Sequence, residues 1–196
     1  MSDPEFRAAL ELLAMLFLDW RIAVLILLLV VASVFDYRSQ RIPNRLVQLG
    51  VLFGLIYNIV FPPYRDAGML WPFAGMGLGF LAFLPLYLIS ATGAGDVKLM
   101  AMVGAFVGPF DMIGVLLCTM AAGGVLSLLL VLARGTGGLL LRNLTALLKL
   151  GFLSGQAGIR PDLSLNADAS AGKLPYALAI STGTIAGLLV HQFGIL

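Results

Sequence analysis

Long stretches without a single charge are the feature that most limits what this chain can become. Residues 22–35, 46–64, 67–95, 112–133 and 174–196 contain no Asp, Glu, Lys or Arg, and 97–110 is broken only by Lys98. A helix needs about 20 apolar residues to cross the ~30 Å hydrocarbon layer of a bilayer. Four of the stretches are long enough outright, while 22–35 and 97–110 need help from the residues at their ends. Composition closes the alternatives: 60% of the 196 residues are hydrophobic, 11% are charged, and the mean hydropathy is +1.01. Soluble domains carry about 25% charged residues, and a compact soluble fold of this length has too little interior to hide so much apolar surface. Disorder is excluded on the same ground. A net charge of +2 without a dense basic stripe argues against a nucleic-acid binder. The single cysteine, Cys118, rules out an internal disulfide, a four-Cys zinc site and a Cys-x-x-Cys redox pair.

The stretches predict an all-α membrane protein, a bundle of six transmembrane helices near 20–38, 46–62, 72–91, 96–110, 112–133 and 174–194. A second reading keeps five spans and makes 97–110 re-entrant. Lys and Arg collect on the cytoplasmic side of membrane proteins. With six alternating spans, Arg38, Arg41, Arg45, Lys98, Arg134, Arg142, Lys149, Arg160 and Lys173 share one side, and Arg7, Arg21 and Arg65 the other. The first side is then cytoplasmic and both termini lie outside. Residues 1–19 form a separate tail, of which 5–19 reads as an amphipathic interfacial helix. It is too acidic for a secretory signal, and the first six residues, MSDPEF, carry no weight. Residues 139–150 read as a second interfacial helix, and 154–172 as a polar loop. Residues 20–196 make up the membrane domain. Four Gly-x-x-x-Gly pairs (Gly50/Gly54, Gly75/Gly79, Gly104/Gly108 and Gly183/Gly187) predict close helix packing rather than chemistry.

Ionisable residues inside spans are costly and ask for a reason. Most of the acids fall in loops or interfacial segments, where a solvated carboxylate needs no further account. Asp36 and Asp96 differ. Asp36 ends the first apolar run and Asp96 opens the fourth. Asp36 lies 16 residues beyond Trp20, and Asp96 lies 15 residues from Asp111. At 1.5 Å per residue these separations are roughly 24 and 22 Å. The two acids therefore sit at one depth, just inside the cytoplasmic edge, where they could meet. A close carboxylate pair shares one proton, because like charges a few ångströms apart do not both ionise. One member is then a base that activates water, and the other an acid that polarises a carbonyl. Taken singly, Asp96 would be an ordinary helix N-cap and Asp36 a partner for Arg38. Gly93 and Gly95 suggest a backbone in conformations closed to other residues, open to a peptide's close approach.

Gly93-Ala94-Gly95-Asp96 resembles the Gly-x-Gly-Asp motif of intramembrane aspartic proteases. Asp36 followed by Arg41-Ile42-Pro43-Asn44 is similar to the first catalytic segment of type IV prepilin peptidases. The likeness continues through Phe83-Leu84-Pro85, the block from Gly93 to Leu99 with Lys98, Gly104 and Gly108, and Leu174-Pro175-Tyr176-Ala177. It covers about residues 20–194, and its variants look most like the short enzymes of tight-adherence (Flp-type) pilus systems, with archaeal preflagellin peptidases more distant. The resemblance implies an endopeptidase of the inner membrane that removes the basic leader of a prepilin at the cytoplasmic face. It assigns the catalytic acids to Asp36 and Asp96 and requires no metal or other cofactor. Gly93, Gly95, Lys98, Arg41, Pro43, Asn44, Pro175 and Tyr176 are the motif residues around them. Arg38, Arg41 and Lys98 read as topology and headgroup charges, Asp162 and Asp168 as better partners for a basic leader, and Pro43 and Pro85 as helix ends or kinks.

Two departures stand out. The larger prepilin peptidases carry paired Cys-x-x-Cys zinc motifs linked to methylation of the new N-terminus; with one Cys, this chain is expected to cleave and not to methylate. Family members often have Gly where this chain has Ala177. The remaining polar residues read blandly: His191 is interfacial, Cys118 a small apolar filler, and Ser181, Thr182 and Thr184 bond helix backbones. Two other functions fit the same composition. A small transporter would use the acids to carry a proton or cation, with acids nearer the midplane and an internal repeat. An inert pilus-assembly scaffold would tolerate loss of either acid.

Overall fold

The computed structural model describes residues 20–62, 68–89, 91–133 and 176–192. The expected interfacial helices at 5–19 and 139–150, the loop at 154–172, and Pro175, Asp162 and Asp168 lie outside them. The described residues form six helices: α1 (Trp20–Ser39), α2 (Asn44–Val60), α3 (Trp71–Leu88), α4 (Ala94–Val107), α5 (Pro109–Ala133) and α6 (Tyr176–Gln192). Three of them, α1, α3 and α5, are long and apolar enough to cross a membrane. Six helices thus stand at the six apolar stretches, three of them of bilayer length, and the chain has the build of a membrane protein.

Local chemistry ends these helices. At the end of α1, Ser39 Oγ donates to Phe35 O at 2.8 Å, and Gln40 takes a left-handed φ of 50°, rare for a residue with a Cβ. That turn stops the helix, and Pro43, extended at φ −61° and ψ 124°, becomes the N-cap of α2. Pro72 occupies the first turn of α3, where a missing N–H costs nothing, and Pro85 lies inside the same helix. Gly108, at φ 82°, closes α4 by donating its N–H to Gly104 O at 2.9 Å, and Pro109 starts α5. This break corrects one expectation. The fourth helix stops at Val107 rather than 110, and Asp111 belongs to the first turn of α5 rather than to the end of α4.

The described residues divide into two compact units. One holds the chain up to Ala122 together with α6; the other is the stretch 123–133 of α5. In the first unit α4 is the centre. It touches α1, α2, α3 and α6, and every residue from Val97 to Val107 except Lys98 is buried. Its side chains Leu99, Met100, Met102, Val103 and Phe106 form the middle of the core with Leu25, Leu29, Phe83, Met112 and Ile180. The glycine pairs sit at these contacts. A Cβ on Gly75 would run into Gly104 O, and one on Gly104 into Gly75 O. A Cβ on Gly183 would meet the backbone of Thr119, and one on Gly187 that of Val115.

One polar knot fastens the end of the bundle where α1 begins and α2 and α4 finish. Asn58 is 3% exposed. Its Nδ2 donates to Ala105 O at 2.8 Å and to Phe106 O at 3.1 Å, carbonyls that the end of α4 leaves without helical partners. Its Oδ1 accepts from Arg21 Nη1 at 3.0 Å. Replacing Asn58 by Ala strips both carbonyls of their donor. The expected loss is about 1–3 kcal/mol, measured as a lowered unfolding midpoint in detergent; an unchanged midpoint would show the knot to be dispensable.

Candidate active site

The opposite end of the helices carries the two acids. Asp36 lies in the last turn of α1 and Asp96 in the first turn of α4, and each is 8% exposed. The first turn of α6 lies beside them, bringing Tyr176 and Ala177. Arg38, Arg45 and Lys98 belong to the same end of their helices, and Arg41 to the link between α1 and α2.

Each carboxylate is tied by one oxygen to a backbone N–H. Ala177 N donates to Asp36 Oδ2 at 3.0 Å. Gly93 N donates to Asp96 Oδ2 at 2.9 Å. Both donors come from the start of a helix, where backbone N–H groups have no partner within the helix itself and favour an anion. Among the described residues no other hydrogen bond engages either carboxylate, so one oxygen of each remains uncommitted. Asp96 lies within reach of the Asp36 charge, and Tyr176 within reach of the Asp96 charge. Two acids 60 positions apart are thus brought to the same end of the bundle by the packing of α1 against α4.

Asp96 is not the N-cap of its helix. The N-cap is Gly93, and Asp96 stands three residues on, its carboxylate reaching back to the Gly93 N–H. The expected special conformations at Gly93 and Gly95 are also absent. Gly93 is extended at φ −82° and ψ 156°, and Gly108 is the positive-φ glycine among the described residues. What the two glycines give is room. A Cβ on Gly93 would stand 3.3 Å from Asp96 Oδ2, and one on Gly95 3.4 Å from Ile42.

The other motif residues divide. Tyr176 is half-buried and meets Phe83 edge to face, with ring centroids 6.0 Å apart. Lys98 donates to Asn44 Oδ1 at 3.1 Å, joining the start of α2 to α4. Lys98 stands two residues, about 200° around the helix, from Asp96, so the two side chains leave α4 in different directions. Arg41 is exposed, and its carbonyl accepts from Ser39 Oγ at 3.2 Å. Pro43 caps α2. Among the described residues no three His, Cys, Asp or Glu side chains gather where a metal could be held. In sequence, Ala177 stands out only as a departure from a motif. Its role as a donor to Asp36 is a backbone contact and leaves no mark in residue type. Ser33, which lies beside it, gives no signal at all.

A family model for the type IV leader peptidase family matches residues 23–128, more than half of the chain and inclusive of both acids. The chain belongs to the type IV leader peptidase family. Within it, the chain is similar to a prepilin leader peptidase/N-methyltransferase of Myxococcus xanthus, with 34% identity over 124 residues. That match takes in 59% of this chain and 36% of the relative, so the chain spans little more than a third of the relative's length. No solved structure gives a significant match. Membership in the leader peptidase family agrees with three bilayer-length apolar helices.

Proposed function

We propose that this protein is a membrane-embedded aspartic endopeptidase that cleaves the basic leader from prepilin-like precursors, with Asp36 and Asp96 as its catalytic residues. The observation that carries the reading is that both carboxylates lie at one end of the bundle, each held by one oxygen and buried to 8% exposure. One water lies between them. The ionised acid takes a proton from the water as its oxygen bonds to the scissile carbonyl carbon, and the protonated acid gives its proton to the carbonyl oxygen. When the resulting diol collapses, a proton passes to the amide nitrogen and the C–N bond breaks. No metal or side-chain nucleophile takes part.

In this reading all six helices span the inner membrane, the acid end faces the cytoplasm and both termini lie outside, with residues 1–19 along the outer interface. Support comes from the basic residues that share the acid end, since Lys and Arg favour the cytoplasmic side. The Flp-type precursors are the substrates that the Arg41-Ile42-Pro43-Asn44 and Gly95-Asp96-Val97-Lys98 variants favour. Such a substrate would lay its apolar helix among the spans and its basic leader along the cytoplasmic face, and Asp162 and Asp168 are the acids proposed to receive that leader.

The test is cleavage by the purified protein in liposomes of a prepilin-like precursor, read by the size shift and by sequencing the new N-terminus. Wild-type protein is expected to release the leader at one bond. Full activity in Asp36→Asn or Asp96→Asn would sink the reading, and proton-linked uptake into the liposomes without cleavage would replace it with transport.

A further inference from the structure

Beside Asp36 lies a buried pair of hydroxyls that the proposed chemistry does not use. Ser33 precedes Asp36 by three residues on α1, and Ser181 follows Ala177 by four on α6, so each shares a helix face with its neighbour. Both serines and Ala177 are buried. Ser33 Oγ and Ser181 Oγ are 2.7 Å apart. Ser181 Oγ reaches Ala177 O at 2.8 Å and Leu29 O at 3.2 Å, and Ser33 Oγ reaches Ala177 O at 3.3 Å. Each hydroxyl has one proton to give. Two protons therefore serve a cluster of two hydroxyls and two carbonyls, one carbonyl from α1 and one from α6. In apolar surroundings such a cluster has no water to exchange with, and it ties the two helices together.

The cluster is aimed at one residue. Ala177 supplies the carbonyl that both serines approach and the N–H that Asp36 Oδ2 accepts. Its peptide groups are gripped on both sides within the first turn of α6. Without the serines, only the Ala177 N–H bond to Asp36 and apolar contact hold the start of α6 against α1, and apolar contact sets distance but not direction.

Resting on the peptidase reading, we propose that Ser33 and Ser181 are positioning residues: they register α6 on α1 so that the Ala177 N–H holds one oxygen of Asp36 and leaves the other for the water. They touch neither water nor substrate. Their loss is therefore expected in the chemical step and not in substrate binding.

The experiment measures kcat and KM for precursor cleavage in liposomes, per folded molecule, for Ser33→Ala, Ser181→Ala, the double variant and Ser181→Thr. Each alanine variant is expected to lower kcat by about ten- to a hundredfold, the scale of a small misplacement of a reacting group, with KM nearly unchanged. The double variant is expected to be no worse than the poorer single, because the hydroxyls act as one unit. Ser181→Thr, which keeps a hydroxyl able to bond the carbonyl one turn back, is expected to recover most of kcat. The proposal is overturned by wild-type kcat in both alanine variants, by a raised KM at constant kcat, or by a loss that Ser181→Thr fails to restore. Should the alanine variants not fold, Ser33→Cys and Ser181→Cys, of similar size but weaker as donors, are expected to show the same fall in kcat, and wild-type kcat in both overturns the proposal equally. Asp36→Asn and Asp96→Asn run alongside. If they cleave normally the peptidase reading fails and takes this inference with it; if they are inactive while the serine variants cleave like wild type, this inference alone fails.

Discussion

Asp36→Asn and Asp96→Asn are each expected to lower leader cleavage by about a hundredfold to ten-thousandfold while leaving the protein folded. The size follows from what positioned acid–base groups contribute to proton transfer. An amide neither takes a proton from water nor gives one to a carbonyl at neutral pH. The survival of the fold follows from the geometry. Each carboxylate accepts one backbone N–H, from Ala177 or from Gly93, and the carbonyl oxygen of asparagine accepts the same bond. Each variant also replaces a buried ionisable carboxyl by a neutral amide of the same size, so the unfolding midpoints are expected to match or exceed that of the wild type. The joint variant is expected to be no slower than either single one, since half a dyad does no more than none. A midpoint that drops with activity would mean that the acids hold the fold together and would leave their chemical role without support.

The second large effect concerns the contact of α3 with α4. Gly104→Ala and Gly75→Ala are each expected to cost about 3 kcal/mol, the upper range for overpacking, and to abolish cleavage at temperatures where the wild type is active. The added methyl meets backbone, Gly104 O in one case and Gly75 O in the other. Backbone cannot swing aside as a side chain can, so the helices must part. Gly77 on the same helix provides the contrast, because a Cβ there meets nothing within 4 Å. Gly77→Ala is expected to be neutral or to stabilise by up to about 1 kcal/mol, the gain in helix propensity. Thermal unfolding in one detergent compares all three, and equal midpoints for Gly104→Ala and Gly77→Ala would refute the packing account.

The helices are legible in the sequence because apolar runs and charge breaks are local properties. The first run predicts a helix near 20–38, and α1 is Trp20–Ser39; the last predicts 174–194, and α6 is Tyr176–Gln192. The discrepancy falls at Gly108, where one glycine in a left-handed turn ends α4 inside an apolar stretch that hydropathy reads as continuous. Asp36 and Asp96 are legible for an electrostatic reason: carboxylates are rare beside such runs. Their fixed oxygens are not, because the donors are backbone N–H groups, which every residue but proline carries. Asn58 and Ser33 stay hidden in the same way. A small polar side chain in an apolar run looks like tolerated noise until the carbonyls it serves come from another helix. The glycine pairs signal packing, but sequence does not say that Gly75 faces Gly104, a pairing of distant segments.

The central helix has a further consequence. At 14 residues α4 is about 21 Å long, against ~30 Å for the hydrocarbon layer. A helix shielded by its neighbours owes nothing to bilayer thickness and can be cut short. Its length then works as a gauge, setting how far the acid end stands from the contact with α3. The backbone contact at Gly104 is the fixed mark on that gauge. A turn of four residues added between Asp96 and Gly104 would move the acid by about 6 Å along the helix axis and away from Asp36. The distance of the acid from its packing contact is thus written in the spacing between one aspartate and one glycine.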